Sequence, residues 1–537
     1  MRDKLNFGLF TLLLTLAAIL GLRAMTMSTN AAETRPVLLV YDSKNIATHA
    51  DLEIDCCQRL MTSLGLPVKS IKLADYQKDE LTSGRYQGVV TMKNWDQQRL
   101  TNSSFERDRK IFKGVKLHVG PELQSDERQQ LCCRFKELTH QQLCLHQERS
   151  SQLLSASHQL TVINKHPDNA EKFGWLSGQS DASQTYAYGV KIGRSGFLPS
   201  LGDDGLSIEA ASQLMGALFK RPTKPHQPLL TITGISPYTN MKRLRTLIKQ
   251  FSARGYPFAL SITSVATNTN LEAFHRYTST LRFAEQNGGL IFLSPSSETG
   301  THLLNGDELR AIFQTELASL GADHVFPVGV SAPGYWNQSK YRRDAVLQNA
   351  SHVLLLPNQP TTLGAQTINS TAKVTASQPF KAGVIGLPFS KFETVTHKDK
   401  LRFNSPTSLL IPMPQNNAEI GTILSRLESA QVPWFDPIRD HLNTALETGS
   451  ALLGYRSGQY WLNGEPLSDL NLTADQRQSE LPTQATKASW MNRVIQWQST
   501  ALIWIFSAIG LFLAGLLSIG WRLYRGKFIR PGIHKDR

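Results

Sequence analysis

Apolar positions between residues 229 and 300 fall into short continuous runs separated by helical-period stretches. Leu229-Leu230-Thr231-Ile232-Thr233-Gly234-Ile235-Ser236-Pro237 is an apolar run ending in turn formers, which predicts a buried strand leading into a loop. A Lys/Arg-studded helix is expected from about Met241 to Ala253, then a strand over Pro257 to Ile262. Another helical stretch and a third strand, Gly289 to Leu293, follow. Strands alternating with helices of this length predict a parallel α/β sheet, whose functional groups gather at the C-terminal strand ends. Those ends carry Thr233, Gly234, Ser294, Ser296, Ser297 and Glu298.

A second α/β unit precedes this one. Pro36 to Asp42, Tyr86 to Met92 and Gly114 to Val119 read as strands, and Ala50 to Leu64 has helical spacing. A β-rich stretch from Gln159 to Leu201 leads through a helix to the Pro-rich linker Arg221-Pro222-Thr223-Lys224-Pro225-His226. After Pro433-Trp434-Phe435-Asp436-Pro437 a helix is expected. A hairpin over Ala451 to Leu467 follows, with turns at Ser457-Gly458 and Asn463-Gly464. Leu470 to Ser489 is polar and Gln/Thr-rich, a stalk in composition.

The chain ends change the picture from globular to membrane-anchored. Arg2 and Lys4 precede the apolar run Phe7 to Leu22, and small residues follow at Asn30-Ala31-Ala32. This is the layout of a secretory leader, cleaved near Ala32 or retained as an anchor. Ala501 to Trp521 holds 21 residues without a charge. As a helix it is about 31 Å long, which matches a hydrocarbon core of about 30 Å. Trp490, Trp497, Trp504 and Trp521 suit interfacial anchoring, and six Lys/Arg against the single acid Asp536 follow the segment, which places the tail in the cytoplasm.

Net charge over the full chain is +14. With +5 in the tail and +2 in the leader set aside, +7 remains for the ectodomain, in which no basic-aromatic stripe stands out. Nucleic-acid binding therefore has no support. The length of the ectodomain, with 41% apolar residues over the full chain, gives material for two or three ordinary cores. Of the five cysteines, Cys56 and Cys57 fall on a helical pattern, as do Cys132 and Cys133, with Cys144 downstream. Cys132, Cys133, His140, Cys144 and His146 crowd together at spacings that match no standard zinc pattern. Either a disulfide between the two Cys-Cys sites or buried apolar thiols would satisfy an exported chain.

The region from about Leu229 to His441 resembles the polysaccharide deacetylase superfamily. The resemblance is to an uncharacterised branch whose first strand ends in Glu-Asp-Val-Ser-Pro and whose third ends in His-Gly-Tyr-Thr-His. It rests on Ile235-Ser236-Pro237, Gly255-Tyr256-Pro257-Phe258 and Gly288-Gly289. The family's acidic pair falls on Thr233 and Gly234, its first His on Ser294 and its second on Glu298. Its Pro-His-Tyr element falls on Pro333-Gly334-Tyr335, and its strand-end His-Pro on Ile411-Pro412. The preceding unit resembles the amidotransferase-like, flavodoxin-like domain of the same family. An active amidotransferase needs a Cys at a sharp strand-to-helix turn, and none of the five cysteines has that context.

The resemblance implies an α/β protein of defined organisation. After a signal peptide at residues 1–32 come an amidotransferase-like domain with a β-rich extension (33–220) and a deacetylase-like (β/α) barrel (226–445). A hairpin and stalk (446–500), a transmembrane helix (501–521) and a basic tail (522–537) complete it. A hydroxyl, a glycine and one carboxylate do not make the three-ligand open site that a hydrolytic metal needs, so no metal and no cofactor are expected. The implied function is a non-catalytic binding or scaffold role at the cell membrane, with a cell-surface polysaccharide and a membrane glycosyltransferase as partners. The candidate glycan groove comprises Ser236, Tyr238, Ser294, Ser297, Glu298, Tyr335 and Trp336, aromatics to stack on sugar rings and hydroxyls to bond them. The competing reading is an active deacetylase or glycan hydrolase with a site rebuilt around Glu298, Asp323, His324 and Tyr335. A third is a structural envelope protein without glycan contact. On the topology argued above, protease added to intact cells should leave only a small C-terminal fragment protected. Protection of the region from Leu229 to His441 would reverse that orientation.

Overall fold

The computed structural model describes residues 35–467, apart from 44–49, 95–100, 155–156, 179–183, 202–204, 222–224, 297, 300–301, 304, 359–369, 373–381 and 450. The leader, the stalk, the segment Ala501 to Trp521 and the basic tail lie outside the described residues. Within those described, no helix is long and apolar enough to cross a membrane.

Four parallel strands form the heart of the first lobe: β1 (Val37–Tyr41), β2 (Val68–Lys72), β3 (Gly88–Met92) and β4 (Val115–Val119), in the order β2-β1-β3-β4. Every residue of β1 is buried, as a central strand covered on both faces requires. Helix α1 (Ala50–Ser63) connects β1 to β2, α2 (Ser103–Ile111) connects β3 to β4 and α3 (Ser125–Leu131) follows β4, and Asn102 caps α2 by accepting from the Phe105 amide at 3.1 Å. The β-rich extension begins earlier than its apolar pattern suggests. It comprises β5 (Arg134–Gln141), β6 (Leu143–Gln147), β7 (Ser150–Leu153), β8 (Ser157–Lys165), β9 (Glu171–Gly178), β10 (Thr185–Ile192) and β11 (Ser195–Leu198). β11 joins β4 in parallel, and β10, β9, β6 and β7 continue the sheet antiparallel. Cys132 and Cys133 therefore lie outside a helix: α3 stops at Leu131, and Cys132 turns the chain with φ +48° into β5. None of the five cysteines is in a disulfide; Cys56 and Cys57 are buried in α1, whereas Cys132 is exposed. Helix α4 (Gly205–Leu218) closes the lobe.

The second lobe is a closed barrel. Its strands are β12 (Leu229–Ile235), β13 (Ala259–Thr263), β14 (Leu290–Ser294), β17 (Gly329–Pro333), β18 (His352–Leu356), β20 (Ala382–Pro388) and β21 (Thr407–Pro412), all parallel around the ring. β15 (Glu298–Thr299) pairs with β16 (His302–Leu303) as a short ribbon after β14. The expected helix from Met241 to Ala253 is α5, with Asn240 as its cap. The remaining helices are α6 (Glu272–Gln286), α7 (Gly306–Ala322), α8 (Gly334–Gln338), α9 (Lys340–Ala345) and α10 (Asn417–Ala430). Two hydroxyl pairs sit among the buried strand residues, Ser261 with Ser331 at 2.8 Å and Ser408 with Thr231 at 2.7 Å, so each hydroxyl is satisfied without water.

Among the described residues after α10 no helix forms. Asp436 accepts from the amides of Ile438 and Arg439 at 2.9 and 3.2 Å, a side-chain turn that competes with helix formation. The chain instead enters a four-stranded antiparallel sheet: β22 (Asn443–Thr448), β23 (Ala451–Arg456), β24 (Gln459–Leu462) and β25 (Glu465–Pro466). Ser457, Gly458, Asn463 and Gly464 all take positive φ, the conformation the two expected turns demand. The sheet sits at the N-terminal ends of β17 and β18, where the Ser351 amide donates to Ala445 and Tyr460 approaches Phe326.

The lobes interlock. β19 (Ser370–Ala372), from the β18–β20 connection, pairs antiparallel with β2. At the opposite edge the segment after β20 covers β7: Ser151 and Thr396 exchange bonds at 2.9 Å, and Gln152 donates to the Lys391 carbonyl. Both ends of the main strand path of the first sheet are thereby capped, while β5 pairs with β8 on a side branch. Between them α1 packs on β20 and α8. Buried Arg59 pairs with buried Asp55 at 2.8 Å and donates to the Gly386 carbonyl at 2.7 Å; the Asn358 amide donates to Asp55. Burial pushes the Asp55 carboxyl up, against the pull of Arg59 and the Asn358 amide. Removing one member strands the other charge, so Arg59→Met should cost about 3 kcal/mol in chemical denaturation of the full chain. A loss below about 1 kcal/mol would mean that the pair does not hold the lobes together.

Candidate functional site

The C-terminal strand ends of the barrel define the site. β12 bulges between Ile232 and Ile235, and Gly234 there is exposed with φ +78°, a conformation costly for other residues. The following turn is closed by the Thr239 hydroxyl, which accepts from the Ser236 amide at 2.9 Å, and by the Thr239 amide, which donates to the Ser236 carbonyl. This turn holds Tyr238 out in solvent, 92% exposed. Two strands away, roughly 10 Å by the usual spacing, Ser294 ends β14 half-buried, beside buried Ser264 at the end of β13. Pro333 and Pro412 end β17 and β21 at the same end of the barrel. Glu298 lies in the β15–β16 ribbon, and Ser297 lies outside the described residues. The donors at these strand ends are hydroxyls and carbonyls, and among the described residues no three His, Cys, Asp or Glu side chains gather as metal ligands would.

Two expected site residues are elsewhere in effect. Tyr335 and Trp336 lie in α8 and are buried, Trp336 to 1% exposure, with the Arg342 guanidinium 5.1 and 5.8 Å from their ring centres. They present no face to a sugar, because β17 runs directly into a helix and α1 packs over it. A Cβ on Gly334 would stand 2.4 Å from the Asp55 carboxylate, so no larger side chain fits at that strand end. The rebuilt site around Glu298, Asp323, His324 and Tyr335 does not assemble. Asp323 and His324 follow α7 in the connection into β17, at the N-terminal end of the barrel, where Asp323 accepts from Thr278 at 2.6 Å and faces His275 at 3.2 Å. Residues in αβ connections lie opposite the strand ends that carry chemistry.

Sequence reading passed over Glu316. Its signal is an acid on an apolar stripe: Leu309, Phe313, Glu316, Leu317 and Leu320 form the buried face of α7. The Ser296 hydroxyl donates to Oε1 at 2.5 Å, while Oε2 makes no hydrogen bond among the described residues. Burial raises this carboxyl to about 7, against the Ser296 bonds, which places a group that exchanges protons near neutrality beside the β14 end. Glu285 in α6 and Glu209 in α4 are each raised by burial to about 8. In the first lobe Glu127 moves the other way, to about 2. Its burial is outweighed by His118, at 2.7 Å, and by Arg109, at 2.6 Å. That cluster lines an enclosed space of about 10 Å³ at the ends of β3 and β4, room for about one water, and reads as a structural network.

A second concavity is open. Asn240, Lys242, Arg243, Thr246, Asn416 and Asn417 line a depression of about 340 Å³ beside the Tyr238 turn. Compared with known proteins, the chain matches no family profile, and no curated protein matches it in sequence.

The raised carboxyls set the sign of a pH dependence. Glu316, Glu285 and Glu209 hold protons in the folded state that the unfolded chain has released. Their stabilising contribution is full below about 4.5 and is lost as pH rises through about 7 to 8; that of Glu127 is present above about 4.5 and lost toward about 2. Denaturation midpoints of the full chain should fall between pH 5 and pH 8, by roughly 1 kcal/mol per unit for each raised carboxyl. Glu316→Gln should remove its share of that slope; a slope unchanged by the substitution would rule out a protonated Glu316.

Proposed function

We propose that the chain is a membrane-anchored, outward-facing glycan-binding protein, a degenerate deacetylase-like barrel behind an amidotransferase-like domain. It serves synthesis, export or modification of a cell-surface polysaccharide without cleaving it. One observation carries the reading: where the resembling enzymes hold a metal, this barrel offers Thr233, Gly234 and Ser294, with Tyr238 displayed beside them in solvent. An exposed aromatic face next to hydroxyls suits a pyranose ring, which stacks its C–H face and bonds its edges. The closure of the β17 end over Gly334 supports the same reading, since it removes the room for the family's His at that position. The apolar segment Ala501 to Trp521 and the tail that follows supply the anchor, and a membrane glycosyltransferase is the natural partner for a tethered polysaccharide binder.

The enzymatic alternative retains one group in its favour, Glu316, whose proton-exchanging carboxyl stands beside Ser296 at a strand end. Release of acetate from an acetylated polysaccharide by the wild-type chain, lost in Glu316→Gln, would establish it. Under the binding reading no acetate appears. Tyr238→Ala should weaken retention on the native polysaccharide by about 1 to 3 kcal/mol with the fold intact, because the ring is solvent-exposed. Retention unchanged in that variant would move binding away from this platform. Trp336→Ala, by contrast, should destabilise the fold by about 3 to 5 kcal/mol as a core truncation.

A further inference from the structure

We propose that the open depression beside Tyr238 receives an acidic sugar residue, so that the polysaccharide bound is a polyanion. This rests on the glycan-binding reading and specifies its ligand.

The depression exists because β12 and β21 are neighbours in the barrel, with Thr233 paired to Pro412, and each leads through a short turn into a helix. α5 and α10 thus begin side by side, capped by Asn240 and Asn416. The helix starts are already satisfied: Asn240 accepts from the Arg243 amide at 3.1 Å and Asn416 from the Glu419 amide at 2.9 Å. Glu419 in turn accepts from the Gln415 amide and the Asn416 carboxamide at 2.6 and 2.7 Å. What remains for a ligand is the side chains. Lys242 is exposed, and Arg243 is steadied by one bond from Nη1 to the Pro414 carbonyl at 3.3 Å. Among the described residues neither cation has a carboxylate partner.

The carboxylate at the start of α10, Glu419, is engaged by the Gln415 amide and the Asn416 carboxamide, and the facing helix is basic. Helix α5 carries Lys242, Arg243, Arg245 and Lys249 and no acid. A guanidinium offers paired donors that match the two oxygens of a carboxylate, and an ammonium adds a point charge. Asn417 and the Nδ2 amide of Asn240 supply polar groups for sugar hydroxyls. At about 340 Å³ the space lies within the usual range of about 300 to 1,000 Å³ for small-ligand clefts. A neutral glycan would engage Tyr238 and the carboxamides but leave both cations unused, whereas an acidic sugar uses the cations as well.

The test is affinity electrophoresis of the detergent-solubilised full chain through gels containing alginate, carboxyl-reduced alginate or poly-glutamate. Retention should be strongest on alginate and fall with added salt. Lys242→Ala with Arg243→Ala should weaken alginate retention at least tenfold and leave retention on the reduced polymer unchanged. Arg243→Lys should lose less than the double variant, and Lys172→Ala, an exposed cation on β9, should match wild type. Equal retention on alginate and its reduced form, or a double variant that binds like wild type, overturns the acidic-sugar inference. If Tyr238→Ala then still weakens both, glycan binding itself stands. Poly-glutamate retained as strongly as alginate also overturns the inference, because the groove would read charge without sugar. Retention on none of the polymers overturns it together with the platform.

Discussion

The buried pair of Asp55 and Arg59 is the constraint on which the joining of the two lobes depends. Both side chains are nearly inaccessible, and each reaches beyond its partner, Arg59 to the Gly386 carbonyl and Asp55 to the Asn358 amide. A buried ion pair is weak evidence for net stability, since desolvation offsets attraction. Its geometric demands are strict, however, because an unmatched charge in that place is costly. The pair therefore fixes which face of α1 meets the barrel and forces Gly334 to remain without a side chain. That one contact shapes the far side of the functional end: β17 turns at once into α8, and Tyr335 and Trp336 become part of the seam.

Closure on that side leaves the opposite arc of the barrel open. From β14 through β13 and β12 to β21 the strand ends carry Ser294, Ser264, Thr233 and the Tyr238 turn, then the depression between α5 and α10. Such an arc is long and polar with one protruding ring. This is the form expected of a surface that follows a polymer, and it differs from the closed pocket that excludes water around a reacting bond. Glu316 is the exception, a carboxyl enclosed behind Ser296 that keeps its proton near neutrality.

Polar groups placed in apolar surroundings recur through the fold, and their satisfaction differs from place to place. Inside the barrel, Ser261 with Ser331 and Ser408 with Thr231 complete one another. Glu285 is held by the Phe326 amide near the C-terminal sheet and retains one oxygen without a hydrogen bond among the described residues. Groups of the first kind fix register at little cost, whereas the second kind titrates near neutrality and ties stability to pH.

Much of this architecture is legible in the chain, because local pattern and tertiary context agree there. The runs at Val37, Val89, Leu229 and Leu290 are predominantly apolar, as strands buried on both faces require, and Met241 to Ala253 carries a clean helical stripe between an Asn cap and a glycine. The turns at Ser457-Gly458 and Asn463-Gly464 announce themselves through residues that tolerate positive φ. Where pattern is weak, the reading goes astray: β5 to β7 are polar and half exposed, so nothing local separates them from a loop or a helix end. The presence of Thr233, Gly234 and Ser294 at strand ends, with Glu298 close after, is legible in the sequence alone. The burial of Trp336, the separation of Asp323 and His324 from the strand ends, and the meeting of Lys242 and Arg243 with Asn416 are not. They depend on contacts between residues far apart in the chain, and no local period records which helix will lie across which strand.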